Sequence, residues 1–322
     1  MSDVPTIMGV VPGDSLGTTL MHEHLFVLDP VLDADLPHPE WDEAAAIERA
    51  VEELTRLAGL GVSTLVDLTV PGLGRDVSRV REVASRVPLR IVAATGWYAA
   101  AGLPPAVLSH GPDSLVGGPD PLVALFVRDL EHGIGDTGVR AGIIKVFSDG
   151  AEPTPPQARV FAAAATAHAR TGAPLTTHSD AAARGGLAQQ DLLARLGVPL
   201  ERVVIGHSGD SGDLDYLMRL ADRGSYLGFD RFGMAHAGDD GARIATLLAL
   251  LDRGYAERIV LSHDAAVFSR VTPPSWRAAH APDWRLDHLP ATILPRLRAA
   301  GVDDRTLATL LVDNPRRILA GA

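Results

Sequence analysis

The sequence predicts a closed (β/α)8 barrel of the TIM-barrel class with C-terminal helices, as a single domain over residues 1–322. Three observations point there. Eight short apolar, β-branched runs alternate with segments of helical period. No internal repeat, low-complexity tract or interdomain linker divides the chain. The first strand runs on into HEHLFVLDP, where an open doubly wound nucleotide-binding sheet would carry a Gly-rich phosphate loop.

The strand segments, in order, are TTLMHEHL (18–25), STLVDLT (63–69), LRIVAATGWY (89–98), AGIIKVFSDG (141–150), APLTTHSD (173–180), RVVIGHSG (202–209), GSYLGFDRFG (224–233) and RIVLSHDA (258–265). Helices fall between them. In 43–58, Ile47, Ala50, Val51, Leu54, Leu57 and Ala58 share one face. Val77, Val80, Val83 (or Ala84) and Val87 do so in 75–87. The next but one begins with Thr154 as N-cap, Pro155 at the first helical position and Gln157 three after the cap, and stops at Gly172. Further helices are expected over 119–132, 186–196, 213–223 and 239–253, and 288–319 reads as helices alone. The Pro/Gly-rich stretch 100–121 sits inside a βα loop.

Composition narrows the function classes. Hydrophobic residues make up 46% and charged residues 21%, the balance of a globular chain. The net charge of −11, with no basic run, argues against nucleic acid or an anionic membrane surface as a partner. There is no cysteine, so any metal must be held by nitrogen and oxygen ligands. No Lys or Arg precedes the first apolar residues, and no apolar run approaches the roughly 20 residues of a membrane span. A cytoplasmic enzyme is the expectation.

In such barrels, catalytic side chains project from the C-terminal ends of the strands. The first strand ends in His22 and His24, the fourth carries Lys145, the fifth and sixth end in His178 and His207, and the eighth in Asp264. Residues i and i+2 of a strand share a face, so His22 and His24 can both point inward while Glu23 faces the helices. Taken singly, each has an ordinary explanation: a hydrogen-bonded strand-end histidine, a surface lysine, an Asp capping a helix. Jointly, four imidazoles and a carboxylate form a ligand set for zinc or a similar divalent ion, too large for one open catalytic site and suited to two. Lys145 lies inside the apolar IIKVF, where a charged amine is costly to bury. A carbamate, formed by CO2 adding to the neutral amine, is an anion able to bridge two cations. His168, in a helix, and His263, facing away from Asp264, stay outside the site. So do His38, His110, His132, His236, His280 and His288.

The motifs TLMHEHL, IIKVFSDG, TTHS, IGHSGD, GFDRFG, LSHDA and DNPRRIL, spread nearly end to end, resemble the amidohydrolase superfamily. More narrowly they are similar to the phosphotriesterase family and its phosphotriesterase-like lactonase branch. The resemblance implies that His22, His24 and Asp264 hold the more buried of two metals, and His178 and His207 the more exposed. Carboxylated Lys145 and a hydroxide would bridge them. Zinc is the expected metal, with cobalt, iron and manganese also suited to these ligands. Tyr98, ending the third strand, and Arg231, after the seventh, stand where lactonase-like members carry a Tyr and an Arg framing the substrate carbonyl. One departure is Ala266, where relatives acting on acyl-homoserine lactones often carry Cys. The loop beyond it has its own aromatics, Phe268, Trp276 and Trp284, of which Trp276 is expected to bind substrate.

The implied activity is hydrolysis of lactones, with side activity on organophosphate triesters, and the implied assembly is a homodimer. The partner is a small-molecule lactone or ester. Two alternatives compete. A sugar-phosphate lactone, carboxylic ester or amide would change the bond; a phosphorylated substrate needs cations at the strand ends, for which Arg231, Arg243 and Arg270 are candidates. A non-catalytic binding relative would have lost ligands, and all six are present.

Overall fold

The protein is described by a computed structural model over residues 2–321. An antiparallel hairpin comes first, β1 (Asp3–Thr6) and β2 (Gly9–Pro12), closed by the Thr6 hydroxyl donating to the Gly9 carbonyl. Eight parallel strands then follow as β3 (Thr19–Val27), β4 (Thr64–Asp67), β5 (Arg90–Trp97), β6 (Ile143–Phe147), β7 (Leu175–His178), β8 (Val203–Ile205), β9 (Tyr226–Phe229) and β10 (Ile259–Leu261). A short β11 (Ala266–Ser269) pairs parallel with the far end of β3. Each strand from β3 to β9 pairs with its successor, and β10 packs against β3 without a regular ladder. There the Asp264 N–H donates to the His22 carbonyl at 3.0 Å, and the His22 N–H to the Ser262 hydroxyl at 2.8 Å. The ring is closed, which removes the open doubly wound alternative.

Inside the barrel, Val66, Val92, Ala94, Ile143, Val204, Tyr226 and Val260 pack together. Val4 from the hairpin, Leu16, and Ile318 and Leu319 from the last helix stop its N-terminal end. Between sheet and helices lies the larger apolar layer, to which the helix Glu43–Gly59 contributes Ala46, Ile47, Ala50, Leu54 and Leu57. The 3.6-residue stripe is therefore the face that meets the sheet. The helix Pro155–Thr171 begins and ends at the expected signals: the Thr154 N–H donates to the Gln157 side chain at 2.8 Å, and Gly172 takes the left-handed conformation. Asp42, Asp76, Asp120, Asp213 and Asp239 each cap a helix with a side-chain carboxylate, a use for part of the acidic excess.

Three features differ from the sequence expectation. The hairpin and β11 were not foreseen, because each is too short to show a period. β3 runs on past His24 to Val27, while the other strands are shorter than the apolar runs, so His207 and Asp264 lie in the turns just past the strand ends. Residues 100–121 include a short helix, Pro105–Leu108. The C-terminal segment is helical throughout, as its pattern predicts. No helix of the described residues is long and apolar enough to cross a membrane.

The last helix, Asn314–Ala320, is tied to the barrel by one fully buried side chain. The Asn314 amide donates to the carbonyls of Ala256 and Ile259, both at 2.8 Å, at the start of β10. Asn314→Ala leaves two carbonyls unpaired and is expected to destabilise the protein by about 1–3 kcal/mol in urea unfolding; an unchanged midpoint would remove this tie from the account of the fold.

Candidate metal centre

The first strand brings two ligand candidates to one face through a local irregularity. Leu20 pairs with Leu65 and Glu23 with Asp67, so β3 holds one residue more than β4 over this interval. The bulge lets Met21 fill the barrel interior while His22 and His24 turn to its mouth. Glu23 is on the other side, as parity predicts, and is fully buried there. Its carboxylate accepts from the N–H groups of His263 and Ala265 and pairs with the His263 ring at 2.6 Å. Glu23 thus holds the β10–β11 turn in place from behind the site.

On β6, Lys145 shares the inward face with Ile143 and is 1% exposed, so the surface-lysine explanation fails. Its register partner on β5 is Gly96, at φ +131°, where a Cβ would overlap the Lys145 carbonyl. Lys145 Nζ stands 3.2 Å from His22 Nε2 and donates to the Thr177 carbonyl at 3.4 Å. Burial is the main cause that lowers its pKa to about 8. Near neutral pH a meaningful fraction of the amine is therefore uncharged and able to react.

The other donors converge on the same point. Asp264 Oδ1 is 3.1 Å from His24 Nε2 and 3.3 Å from His22 Nε2; Oδ2 is 3.9 Å from His207 Nε2. His207 Nε2 meets His178 Nδ1 at 2.9 Å. His207 and Asp264 are both held at positive φ, 61° and 55°. Such backbone is uncommon outside glycine and gathers at functional sites. Asp264 caps no helix; β11 follows it.

Behind the rings, a set of acceptors decides which nitrogen faces the cavity. Asp230, 2% exposed, pairs with Nδ1 of both His22 and His207, at 2.8 and 3.0 Å, and accepts from the His207 N–H. The Thr69 hydroxyl pairs with His24 Nδ1 at 2.8 Å. Nε2 of all three rings is thereby left facing inward. Burial, then the nearby Lys145 cation, drives His22 down to about 3. Burial and His207 hold His178 well below its ordinary value. Both rings are neutral bases with a free lone pair at pH 7. Burial alone would raise the Asp264 carboxyl, but His22, the His24 hydrogen bond, His207 and Arg231 together hold it well below the usual range. Asp230 is lowered in the same way by His207 and His22 against its burial.

This donor set fits divalent cations. Imidazole nitrogens, an ionised carboxylate and a reactive amine converge on one volume, and the far nitrogens of His22, His24 and His207 are already hydrogen-bonded. His22, His24 and Asp264 offer atoms close enough together to hold one ion. The set His22, His207 and Asp230 is also compact, but its contacts run through Nδ1 atoms that Asp230 already engages, so Asp230 is an orienting residue there.

The mouth opens into a cavity of about 440 Å³. Tyr98 stands edge-on to His178, with ring centroids 5.7 Å apart, and its hydroxyl makes no hydrogen bond among the described residues. Burial, then Asp264, pushes that phenol up to about 12, so it is a donor at neutral pH. Arg231 Nε donates to Asp264 Oδ2 at 3.2 Å and its Nη1 to Asp210 at 2.9 Å. Trp276 does not line the cavity. It stacks on His280, with centroids 4.8 Å apart, and meets the edge of His236; Trp284 and His236 form the wall instead. On the short helix Pro274–His280, Trp276 is half-buried behind His236 rather than in the cavity wall, and that helix is too short for its period to be read.

A sequence model of the phosphotriesterase family matches residues 2–319. The chain belongs to that family. A "Phosphotriesterase homology protein" of Mycobacterium tuberculosis is 43% identical over 318 residues, covering 99% of this chain and 98% of that one. An "Aryldialkylphosphatase" of Saccharolobus solfataricus is 33% identical, with 96% and 97% covered. The solved structure of the phosphotriesterase from M. tuberculosis matches at a TM-score of 0.96 and 43% identity, over 98% of each chain. This phosphotriesterase-family hydrolase has the same barrel from end to end.

Sequence reasoning passed over Asp230 and Thr69, and it set His236 outside the site, where the structure places it in the cavity wall. For Asp230 a signal existed: a carboxylate directly after an apolar strand, next to Arg231, in GFDRFG. Asp230→Asn removes one of two carboxylate oxygens that orient His22 and His207. Divalent-metal content after dialysis is expected to correspond to affinity weakened roughly 10–100-fold; full retention would assign the orientation of these rings to packing alone.

Proposed function

We propose that this phosphotriesterase-family hydrolase is a lactonase with side activity on organophosphate triesters, working with two divalent cations, zinc in the first instance, and a carbamate on Lys145. One observation carries the reading. Tyr98 and Arg231 flank the ring of nitrogen and carboxylate donors at the foot of a single, largely apolar cavity. The site would hold one cation through His22, His24 and Asp264 and the other through His178 and His207, with Lys145 between. When bound, such a pair supplies a Lewis acid for a carbonyl or phosphoryl oxygen and an activated water at neutral pH.

The chain's own residues do the rest. Asp264, ionised and held by Arg231 through one oxygen, accepts the proton released as water adds, and passes it to the departing alkoxide. The Tyr98 hydroxyl, free and protonated, donates to the substrate oxygen as negative charge builds on it. Val27, Leu73, Ala100, Met234, Val271 and Trp284 supply apolar walls for the remainder of a lactone or an ester.

A phosphorylated substrate finds no such support. Arg231 is engaged by Asp264 and Asp210, Arg243 by Asp210 and Asp240, and Arg270 by Asp33 and the Leu36 carbonyl. None is a free cation at the mouth, so a neutral lactone or triester matches the cavity better. The triester activity draws on the aryldialkylphosphatase relative and on the shared need for a Lewis acid and an activated water.

Two experiments test this. Metal-reconstituted protein is assayed on γ- and δ-lactones beside paraoxon; lactone kcat/KM is expected to exceed that for paraoxon roughly tenfold or more. A panel with no lactone turnover sinks the lactonase reading and favours another ester or an amide. Lys145→Ala is expected to lose bound metal and most activity, with partial recovery in short carboxylic acids; a variant that keeps two metals and full turnover shows Lys145 is no bridge.

A further inference from the structure

Arg243 is almost fully buried, 2% exposed, in the first turn of the helix Asp240–Leu251. A cation there opposes the helix dipole and is costly to desolvate, so helix stability gives no reason for it. Its contacts give one. Nη2 and Nε donate to Asp210 Oδ1 at 2.7 and 3.1 Å, and Nη1 to the Gly238 carbonyl at 3.0 Å. Asp210 closes the 3-10 turn Ser208–Asp210 that begins immediately after His207, and its other oxygen accepts from Arg231. Arg231 in turn holds Asp264 Oδ2. On the outer side, Asp240 is 3.5 Å from Arg243 Nη1, accepts from the Gly233 N–H and pairs with His288 Nε2 at 2.8 Å. Charges of alternating sign thus run from Asp264 through Arg231, Asp210 and Arg243 to Asp240, whose other oxygen pairs with the His288 ring.

We infer that Arg243 is a positioning residue for the metal centre, setting Asp264 through Asp210 and Arg231 and setting His207 through the turn that Asp210 closes. It touches neither the cavity nor any donor atom. The inference rests on the metal-site reading, and it adds that ligand geometry at β8 and β10 is maintained from the first turn of the helix after β9. Asp210 is the joint: without a clamp on Oδ1, its carboxylate can rotate, and Arg231 can leave Asp264 for solvent. Asp264 would then have to be ordered by the incoming cation itself, which weakens binding.

The test uses Co2+ titration of the metal-free full chain, followed by visible absorption, with urea unfolding in parallel. Arg243→Met is expected to bind Co2+ about tenfold more weakly. Arg243→Lys restores the charge and part of the affinity. Asp210→Asn is weakened as well, and Asp210→Asn/Arg243→Met no further than Asp210→Asn alone, because both act through one joint. Asn314→Ala, destabilised far from the site, binds as wild type. Wild-type affinity in Arg243→Met, a double variant that loses the product of the two single effects, or equal weakening in Asn314→Ala each overturns the inference. If wild type takes up no Co2+, the metal reading fails, and hydrogen exchange decides the clamp. Faster exchange in Arg243→Met at residues 207–213 and 231–238, with the strands unchanged, sustains it; unchanged exchange there overturns it.

Discussion

One buried carboxylate organises the mouth of this barrel. Asp230 takes Nδ1 of His22 and Nδ1 of His207, rings that arrive on strands far apart in sequence, and engages the His207 backbone as well. With Nδ1 occupied, Nε2 has one direction left, into the cavity. The same burial that makes Asp230 valuable as an acceptor keeps His22 and His178 neutral and brings the Lys145 amine down toward neutral pH. His22 and His178 therefore present lone pairs rather than protons, the condition for coordinating a cation. Thr69 does for His24 what Asp230 does for the other two.

The barrel supplies the convergence and its local departures supply the aim. A regular β3 would put Met21 and His22 on opposite faces; the extra residue in β3 lets Met21 plug the interior while His22 and His24 both serve the site. Past β8 and β10 the chain turns through left-handed residues, His207 and Asp264, that are themselves ligand candidates. Strain of this kind costs about 1–3 kcal/mol per residue. It is held by well-packed strands beneath and by Glu23, which binds the backbone on either side of Asp264. Two of the six candidate ligands, His207 and Asp264, thus sit where the regular structure has ended.

Charge is arranged with equal economy of position. The arginines near the mouth each meet a carboxylate, leaving an apolar volume floored by the metal centre. On the proposed reading, that pairing favours neutral esters over phosphorylated metabolites, and nothing in composition shows it. Net charge reports only that acids exceed bases; several of those acids are helix caps.

The barrel class was legible in the chain because burial on one or two faces writes a period of two or 3.6 into consecutive residues. Thr154 and Gly172 were legible for a related reason, since caps act within one turn. His22 and His24, two apart, and Lys145 in IIKVF stood out as polar groups in apolar strands. Asp230, Thr69, Glu23 and Arg243 did not, because their meaning lies in partners tens to hundreds of residues away. Asp230 is 208 positions from His22, and Glu23 is 240 from His263. Trp276 and Trp284 look equivalent in sequence; only packing sets one behind His236 and the other in the cavity wall. Local chemistry thus determined the elements and the candidate ligands. Which nitrogen each ring presents, which carboxylate each arginine meets and which aromatic lines the cavity were decided by closure of the barrel, which alone brings those distant groups within hydrogen-bonding distance.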